Sequence, residues 1–230
     1  MPETIRLGTL RRARVASTLP GPWRRLRPLG DAPQWMKDSP MATLMYTMLM
    51  SLDGYIADTQ GKFDWARPDE EVHTLVNQLC SRVGTFLLGR RMYEELSAWE
   101  TLDRSPQPAF IREFAAIWRG ADKVVYSRTL SAAPTARTRI ERAFTIEAVQ
   151  KMKAAADRDF FIGGASLAAQ ALEANLVDVC HFVISPIIVG GGTSAFPDGQ
   201  RLSLDLRDER RFGNGMVYLR YGVADGRRGN

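Results

Sequence analysis

From residue 41 to residue 223, short apolar runs of strand character alternate with stretches of helical periodicity. That alternation restricts the possible folds more than any other feature of the chain. Residues 44–52 read as a buried strand closed by Asp53-Gly54, which residues 55–57 continue briefly. Pro68 opens a helix with Asp69, Glu70 and Glu71 in its first turn, where the macrodipole favours negative charge. Its apolar positions Val72, Leu75, Val76, Leu79, Cys80 and Val83 share one helical face.

Further units follow in the same alternation. Strands are predicted at 85–88, 123–126 and 159–162, and helices at 92–99, 108–119, 146–156 and 166–174, with a loop over 132–138. A β-run over 179–189 precedes Gly190-Gly191-Gly192. Strand–helix–strand units require crossover connections, which give a parallel sheet covered on both faces. At the end, residues 203–212 and 216–223 flank Gly213-Asn214-Gly215, a turn that predicts an antiparallel hairpin. The expected fold is therefore α/β: three layers around a mainly parallel sheet, with a C-terminal antiparallel hairpin.

At roughly 150 residues per domain, 230 residues amount to one domain with an appendage. The appendage is the segment 1–40, where seven arginines and Lys37 oppose Glu3, Asp31 and Asp38. Its +5 equals the net charge of the chain, so the remainder is neutral, with 31 − 8 = 23 basic and 26 − 3 = 23 acidic groups. A neutral body excludes a nucleic-acid-binding domain, which carries its basic patch on a folded face. Arg11-Arg12, Arg24-Arg25 and prolines such as Pro2, Pro20, Pro22, Pro28 and Pro33 leave the leader too little apolar surface to order itself. A dispensable disordered tail is the expectation; a transit peptide and a basic arm for anionic polymers are the alternatives. Residues 224–230 read as a flexible tail.

No apolar run approaches the ~18 residues that span a bilayer, so no membrane association is expected. Cys80 and Cys180 are too few for a disulfide framework, and His73 and His181 too few for a histidine-rich metal site. The expectation is a soluble, cytoplasmic protein without a metal.

Open α/β sheets bind ligands beyond the carboxyl ends of their parallel strands. There this chain places Gly89-Arg90-Arg91, Ser127-Arg128-Thr129 and Gly163-Gly164-Ala165-Ser166, the first and last entering helices. A helix N-terminus offers unpaired N–H groups and partial positive charge, glycines let the backbone approach a phosphate, and arginines supply planar forks for its oxygens. A glycine-rich turn beside an arginine-and-hydroxyl cluster suits a ligand with two phosphate positions. NADPH is such a ligand, with its pyrophosphate on Gly163-Gly164 and its 2′-phosphate near Arg90, Arg91, Ser127 and Arg128. Each element also has a plainer reading: the glycines as a structural turn, the arginines as partners of Glu94 and Glu95 at i+4. His73, beside an apolar helical stripe, and His181, inside a β-run, are expected to pack rather than catalyse. Tyr93, Trp99 and Trp118 read as core. The nucleophile elbow, the Cys-x-x-Cys pair, the phosphate loop and the strict Gly-x-Gly-x-x-Gly fingerprint are all absent.

In order along the chain, Met50-Ser51-Leu52-Asp53-Gly54-Tyr55-Ile56-Ala57, Leu88-Gly89-Arg90-Arg91-Met92-Tyr93, Tyr126-Ser127-Arg128-Thr129-Leu130, Ile162-Gly163-Gly164-Ala165-Ser166-Leu167, and Ile184-Ser185-Pro186 leading to Gly190-Gly191-Gly192 form a recognisable series. The series resembles the dihydrofolate reductase superfamily, in its branch containing the reductase domain of riboflavin-biosynthesis deaminase-reductases. The resemblance implies a mainly parallel sheet, NADPH as hydride donor and a homodimer. It places Gly89, Arg90, Ser127 and Arg128 at the adenosine and 2′-phosphate end, with Arg91 beside them. Gly163, Gly164, Ala165 and Ser166 fall at the pyrophosphate and nicotinamide, and Asp53 beside the substrate. Reductases of that branch convert the ribose of a phosphorylated aminopyrimidine to a ribityl chain. Departures are also visible: Met92 stands where dihydrofolate reductases carry threonine, and the leader has no room for the fused zinc deaminase.

The expected function is accordingly an NADPH-dependent reductase of a small heterocycle or phosphorylated sugar-pyrimidine. The alternatives are a dihydrofolate reductase and a non-catalytic NADPH-binding sensor on the same scaffold. Asp53 is the leading proton donor, with Asp-Gly as an ordinary turn the competing reading. Glu70 could hydrogen-bond an amino-heterocycle, or serve only the helix dipole. Gly190, Gly191 and Gly192 are expected in a loop near the substrate.

Overall fold

The computed structural model describes residues 42–102, 106–199 and 201–223. The expectations for the leader and the last seven residues lie outside them. In chain order the elements are β1 (Leu44–Ser51), β2 (Tyr55–Ala57), α1 (Glu70–Cys80), β3 (Val83–Gly89), α2 (Arg90–Leu96), α3 (Ala109–Gly120), β4 (Asp122–Tyr126) and β5 (Thr138–Glu141). Then come α4 (Ile146–Ala155), β6 (Asp159–Gly163), α5 (Ala165–Glu173), β7 (Val179–Ser185), β8 (Thr193–Ser194), β9 (Leu204–Arg211) and β10 (Val217–Val223).

Eight strands form one sheet in the order β5-β4-β3-β6-β1-β7-β10-β9. Pairings from β5 through β7 are parallel, and β10 joins β7 and β9 antiparallel. The mainly parallel sheet bounded by a terminal hairpin is the one the sequence implied. Strands β2 and β8 make a small separate ribbon.

Alternation along β1 explains the layers. Leu44, Tyr46, Met48 and Met50 turn to one face, where Leu167, Ala168, Ala171 and Leu172 of α5 and Val149 of α4 cover them. Met45 turns to the other, with Phe86 and Leu88 of β3, beneath Phe114 and Trp118 of α3. Side chains buried to this degree each contribute about 1.5–3 kcal/mol, so both faces are needed to hold the sheet. Helix α1 closes the hairpin side, packing Val72, Leu75 and Leu79 on Val183, Phe212 and Tyr218. Its start is fixed by the Asp69 carboxylate, which accepts the Val72 amide at 3.0 Å, a cap worth about 1 kcal/mol.

Several elements differ from the sequence reading: the helix expected at 92–99 is Arg90–Leu96 followed by a 3-10 turn, and residues 55–57 pair with β8 instead of continuing β1. Val83 opens β3 instead of closing the helix, because α1 stops at Cys80. Strand β5 was not anticipated: its Thr-Arg-Ile-Glu sequence has one apolar residue and lies at the sheet edge. The run after Ser185 is apolar but not a strand. Pairing of β7 with β1 ends at Ser51 opposite Ser185, and Ile188 lies 70% exposed in the following loop.

Candidate functional site

All parallel strands point their carboxyl ends to one edge of the sheet. There Gly89 registers with Tyr126, Leu88 with Gly163, and Ser51 with Ser185. Strands β6 and β1 pair only as far as Ile162 and Tyr46, after which β1 continues beside β7. A cleft of about 1700 Å³ opens along this edge. It brings together Gly89, Arg90, Arg91, Ser127, Arg128, Gly164, Ala165 and Ser166, which the sequence had only placed on separate strand ends.

The glycine turn is built for close backbone approach. A Cβ on Gly163 would lie 2.8 Å from the Phe161 ring and 3.0 Å from Met92 Cγ, so this residue sits buried behind the cleft wall. Gly164 adopts φ +98°, and a Cβ there would come 3.6 Å from the Gly89 amide nitrogen. The β6–α5 turn therefore packs directly on the tip of β3. Among the described residues no side chain caps α5, and its first two residues, Ala165 and Ser166, line the cleft at the helix's partially positive end.

At the neighbouring tip, the buried Ser127 Oγ accepts the amides of Thr129 at 3.3 Å and Leu130 at 3.0 Å. With both acceptor positions engaged, its own proton is free to point to a ligand. Arg142, just past β5, donates to the carbonyls of Ser127 at 2.9 Å and Leu130 at 2.8 Å and braces the turn. Arg90 bridges Glu94 at 2.7 Å and the Thr129 hydroxyl at 2.9 Å, so the anticipated i+4 pair exists and also ties β3 to β4. Arg91 and Arg128 are exposed on the cleft and make no ion pair among the described residues.

Asp53, Glu70 and the triple glycine stand apart from this cluster. Asp53 does not line the cleft; its carboxylate accepts the amides of Val189 at 3.2 Å and Gly190 at 2.8 Å. A hydrogen bond from Ser51 and these amides hold it below the usual carboxylate range. Glu70 is exposed in the first turn of α1, also off the cleft. Gly190 and Gly191 belong to the loop that Asp53 fastens. Gly192 lies against the Ala57–Asp58 backbone and borders a smaller recess of about 730 Å³ shared with Arg91.

Several cleft residues carried no sequence signal. Lys62 and Arg67 flank a 3-10 turn (Asp64–Ala66) at the rim, and Arg142 to Phe144 follow the unanticipated β5. Thr47 and His73 line the interior. His73 is buried as expected, yet it borders the cleft, as does Trp99. Tyr93 and Trp118 are core. Among the described residues no group of three or more His, Cys, Asp or Glu could hold a metal ion, and no helix is long and apolar enough to cross a membrane.

Fold and site together define an α/β domain of the reductase-like class, with its ligand cleft at the carboxyl edge of a mainly parallel sheet. The chain belongs to the RibD C-terminal domain family, which matches residues 42–218. Among curated proteins it is 26% identical over 181 residues to the uncharacterized protein YyaP of Bacillus subtilis (strain 168), covering 77% of this chain and 93% of that one. A solved protein of Shewanella sp. PV-4 named for riboflavin biosynthesis superposes with a TM-score of 0.64 at 20% identity, over 80% of this chain and 99% of its own. The deaminase/5-amino-6-(5-phosphoribosylamino)uracil reductase of Thermotoga maritima superposes at 0.56 and 15% identity, over 80% of this chain and 57% of that one. These likenesses share the fold.

Proposed function

We propose that this protein is an NADPH-dependent reductase acting on a small heterocycle, of the kind represented by phosphorylated sugar-pyrimidines. The observation that supports the reading is the convergence of three strand tips on one cleft. The α5 N-terminus, Ser127, Arg91 and Arg128 supply anion-binding groups at two separate places, as a nucleotide with both a pyrophosphate and a 2′-phosphate requires.

The residues fit that cofactor. Gly164 and the first-turn amides of Ala165 and Ser166 would hold the pyrophosphate, because the φ of +98° at Gly164 lets the chain enter α5 at the cleft without a capping side chain among the described residues. Arg91, Arg128 and the Ser127 hydroxyl would hold the 2′-phosphate, while Arg90 keeps the β3 and β4 tips together. When bound, NADPH supplies a hydride. The chain would hold both ligands along this cleft, and its apolar lining residues Val76, Leu96, Trp99 and Phe114 would keep bulk water from the interior. Asp53, held ionised, is a poor proton store at neutral pH; its contacts support a role in fastening the 187–190 loop.

Tryptophan-fluorescence titration with NADPH and NADH tests the reading, followed by reduced-nicotinamide oxidation over a panel of dihydropterins, phosphoribosylaminopyrimidines and carbonyls. NADPH should bind at least ~10-fold tighter than NADH and be consumed with one class of acceptor. Equal binding of the two nucleotides overturns the cofactor assignment; tight NADPH binding without any turnover overturns the enzymatic one.

A further inference from the structure

The C-terminal hairpin carries its apolar residues on the side that no helix covers. Strand register extends the two faces of the sheet outward from β1. Met48 lies opposite Phe182 and Met50 opposite Ile184; on the next strand Leu219 lies opposite Phe182 and Val217 opposite Ile184. These residues share the face that α4 and α5 cover at β1. Tyr218 and Val183 take the other face, beneath α1.

An antiparallel sheet with one wet face places polar residues on that face. Strand β10 does the reverse. Its alternate positions Val217, Leu219, Tyr221 and Val223 are apolar on the α5 side, whereas Arg220, opposite His181, points to the α1 side. Leu206 and Leu204 of β9 extend the stripe opposite Tyr221 and Val223. Tyr221 and Val223 reach the buried cluster under α5, but Val217, Leu219, Leu204 and Leu206 pack on no buried cluster among the described residues. Leu206 is 52% exposed. Two charges border the stripe on the same face, Glu209 opposite Leu219 and Arg211 opposite Val217. Both are exposed, and neither makes an ion pair among the described residues.

We propose that this face docks a second copy of the chain, packed sheet against sheet about a twofold axis. The contact is independent of whether the chain binds a nucleotide.

Charge complementarity selects a second copy as the occupant. In a twofold interface each surface meets itself, so it must be self-complementary. The apolar stripe meets its own equivalent and gains by leaving water. An acid and a base two positions apart on one strand supply the rest: Glu209 of one copy meets the partner's Arg211, and the reverse contact forms at the same time. Packing is by faces and not by edges. Strand β9 bulges at Arg207, which has no residue opposite it on β10, and Asp205, Arg207 and Asp208 are exposed along it. Bulges and charges of this kind block edge-to-edge pairing.

Sedimentation velocity of the full chain over a dilution series tests the surface. A particle of twice 25.7 kDa is expected, dissociating as it is diluted. Leu219→Glu places a charge in the centre of the contact and should leave only monomer. In case that variant does not fold, exposed Glu209 provides a second readout. Glu209→Arg sets like charges against each other twice and should raise the dimer dissociation constant about 10-fold or more. Combining it with Arg211→Glu restores the opposite signs and should return the constant to within about 3-fold of wild type.

A wild type that remains monomeric at the highest concentration reached overturns the proposal and leaves the face to a different protein. A dimer equally tight in Leu219→Glu and Glu209→Arg overturns it as well, since the contact then lies elsewhere on the molecule. A double exchange that fails to restore the dimer overturns the twofold arrangement.

Discussion

The Gly190 amide donates to the Asp53 carboxylate at 2.8 Å across 137 positions of sequence, which fastens the loop after β7 to the turn after β1. The same carboxylate takes the Val189 amide, and Leu52 donates to the Ile187 carbonyl alongside. The turn after β1 and the loop after β7 are thus tied together by three hydrogen bonds.

Asp53→Ala should release them. Because the folded-state pKa of Asp53 lies below its ordinary 3.8, its contribution to loop order is complete above that value and fades as acid protonates it. Amide hydrogen exchange at Val189 and Gly190 should accelerate in the variant at neutral pH and in the wild type only in strong acid. Exchange rates unaffected by Asp53→Ala would show that the loop is held by something else.

Charge reversal separates the arginines. Arg128→Glu or Arg91→Glu should reduce a ≥10-fold preference for NADPH over NADH to about parity, a change of ~1.4 kcal/mol. Arg90→Ala should behave differently, since Arg90 joins Glu94 to Thr129 and so shapes the site for both nucleotides. Its loss should weaken NADPH and NADH together. Titrations of the three variants with both nucleotides provide the check, and a preference that survives both reversals would remove those arginines from the 2′-phosphate.

The strand tips were legible in the sequence because glycine, arginine and serine carry their chemistry locally, and a parallel sheet must deliver its carboxyl ends to one edge. Tertiary meaning was harder to read. Asp53-Gly54 is a turn pair whether its carboxylate meets substrate or, as here, the amides of a loop far along the chain. Thr47 sits inside an apolar strand, and His73 at the margin of an apolar helical stripe. Nothing in the spacing shows that the elements on either side part to leave a cleft between them. The same holds for β5, whose single Ile140 gives no apolar alternation, although Arg142 beyond it braces the Ser127 turn.

Acid should destabilise the folded body through His181. Its Nδ1 lies 2.7 Å from the Tyr218 hydroxyl, with the two rings stacked at 9°, and burial first and the Arg220 charge second push its pKa down to about 3. The unfolded chain takes up a proton near the ordinary 6.5 while the folded state refuses it until about 3. Stability therefore falls with pH across that window, by up to ~1.4 kcal/mol per pH unit. His181→Leu should flatten this limb in urea unfolding between about pH 7 and about pH 4, whatever it costs at neutral pH. An equally steep acid limb in the variant would place the proton uptake elsewhere.

The two glycines of the β6–α5 turn should fail in different ways when given a methyl group. At Gly163 the added Cβ meets Phe161, Met92 and Leu88 at 2.8, 3.0 and 3.2 Å, a packing clash behind the cleft. Gly163→Ala should cost about 1–3 kcal/mol in stability, as overpacked cores do. At Gly164 the space is ordinary, but φ +98° is a conformation that side chains resist, with a strain of about 1–2 kcal/mol. Relieving that strain turns the first-turn amides of α5 away from the cleft, so Gly164→Ala should lose NADPH affinity beyond what its stability loss predicts. Thermal unfolding paired with nucleotide titration separates the two. If both variants lost stability alike and kept full NADPH affinity, the pyrophosphate would have to sit somewhere other than the α5 N-terminus.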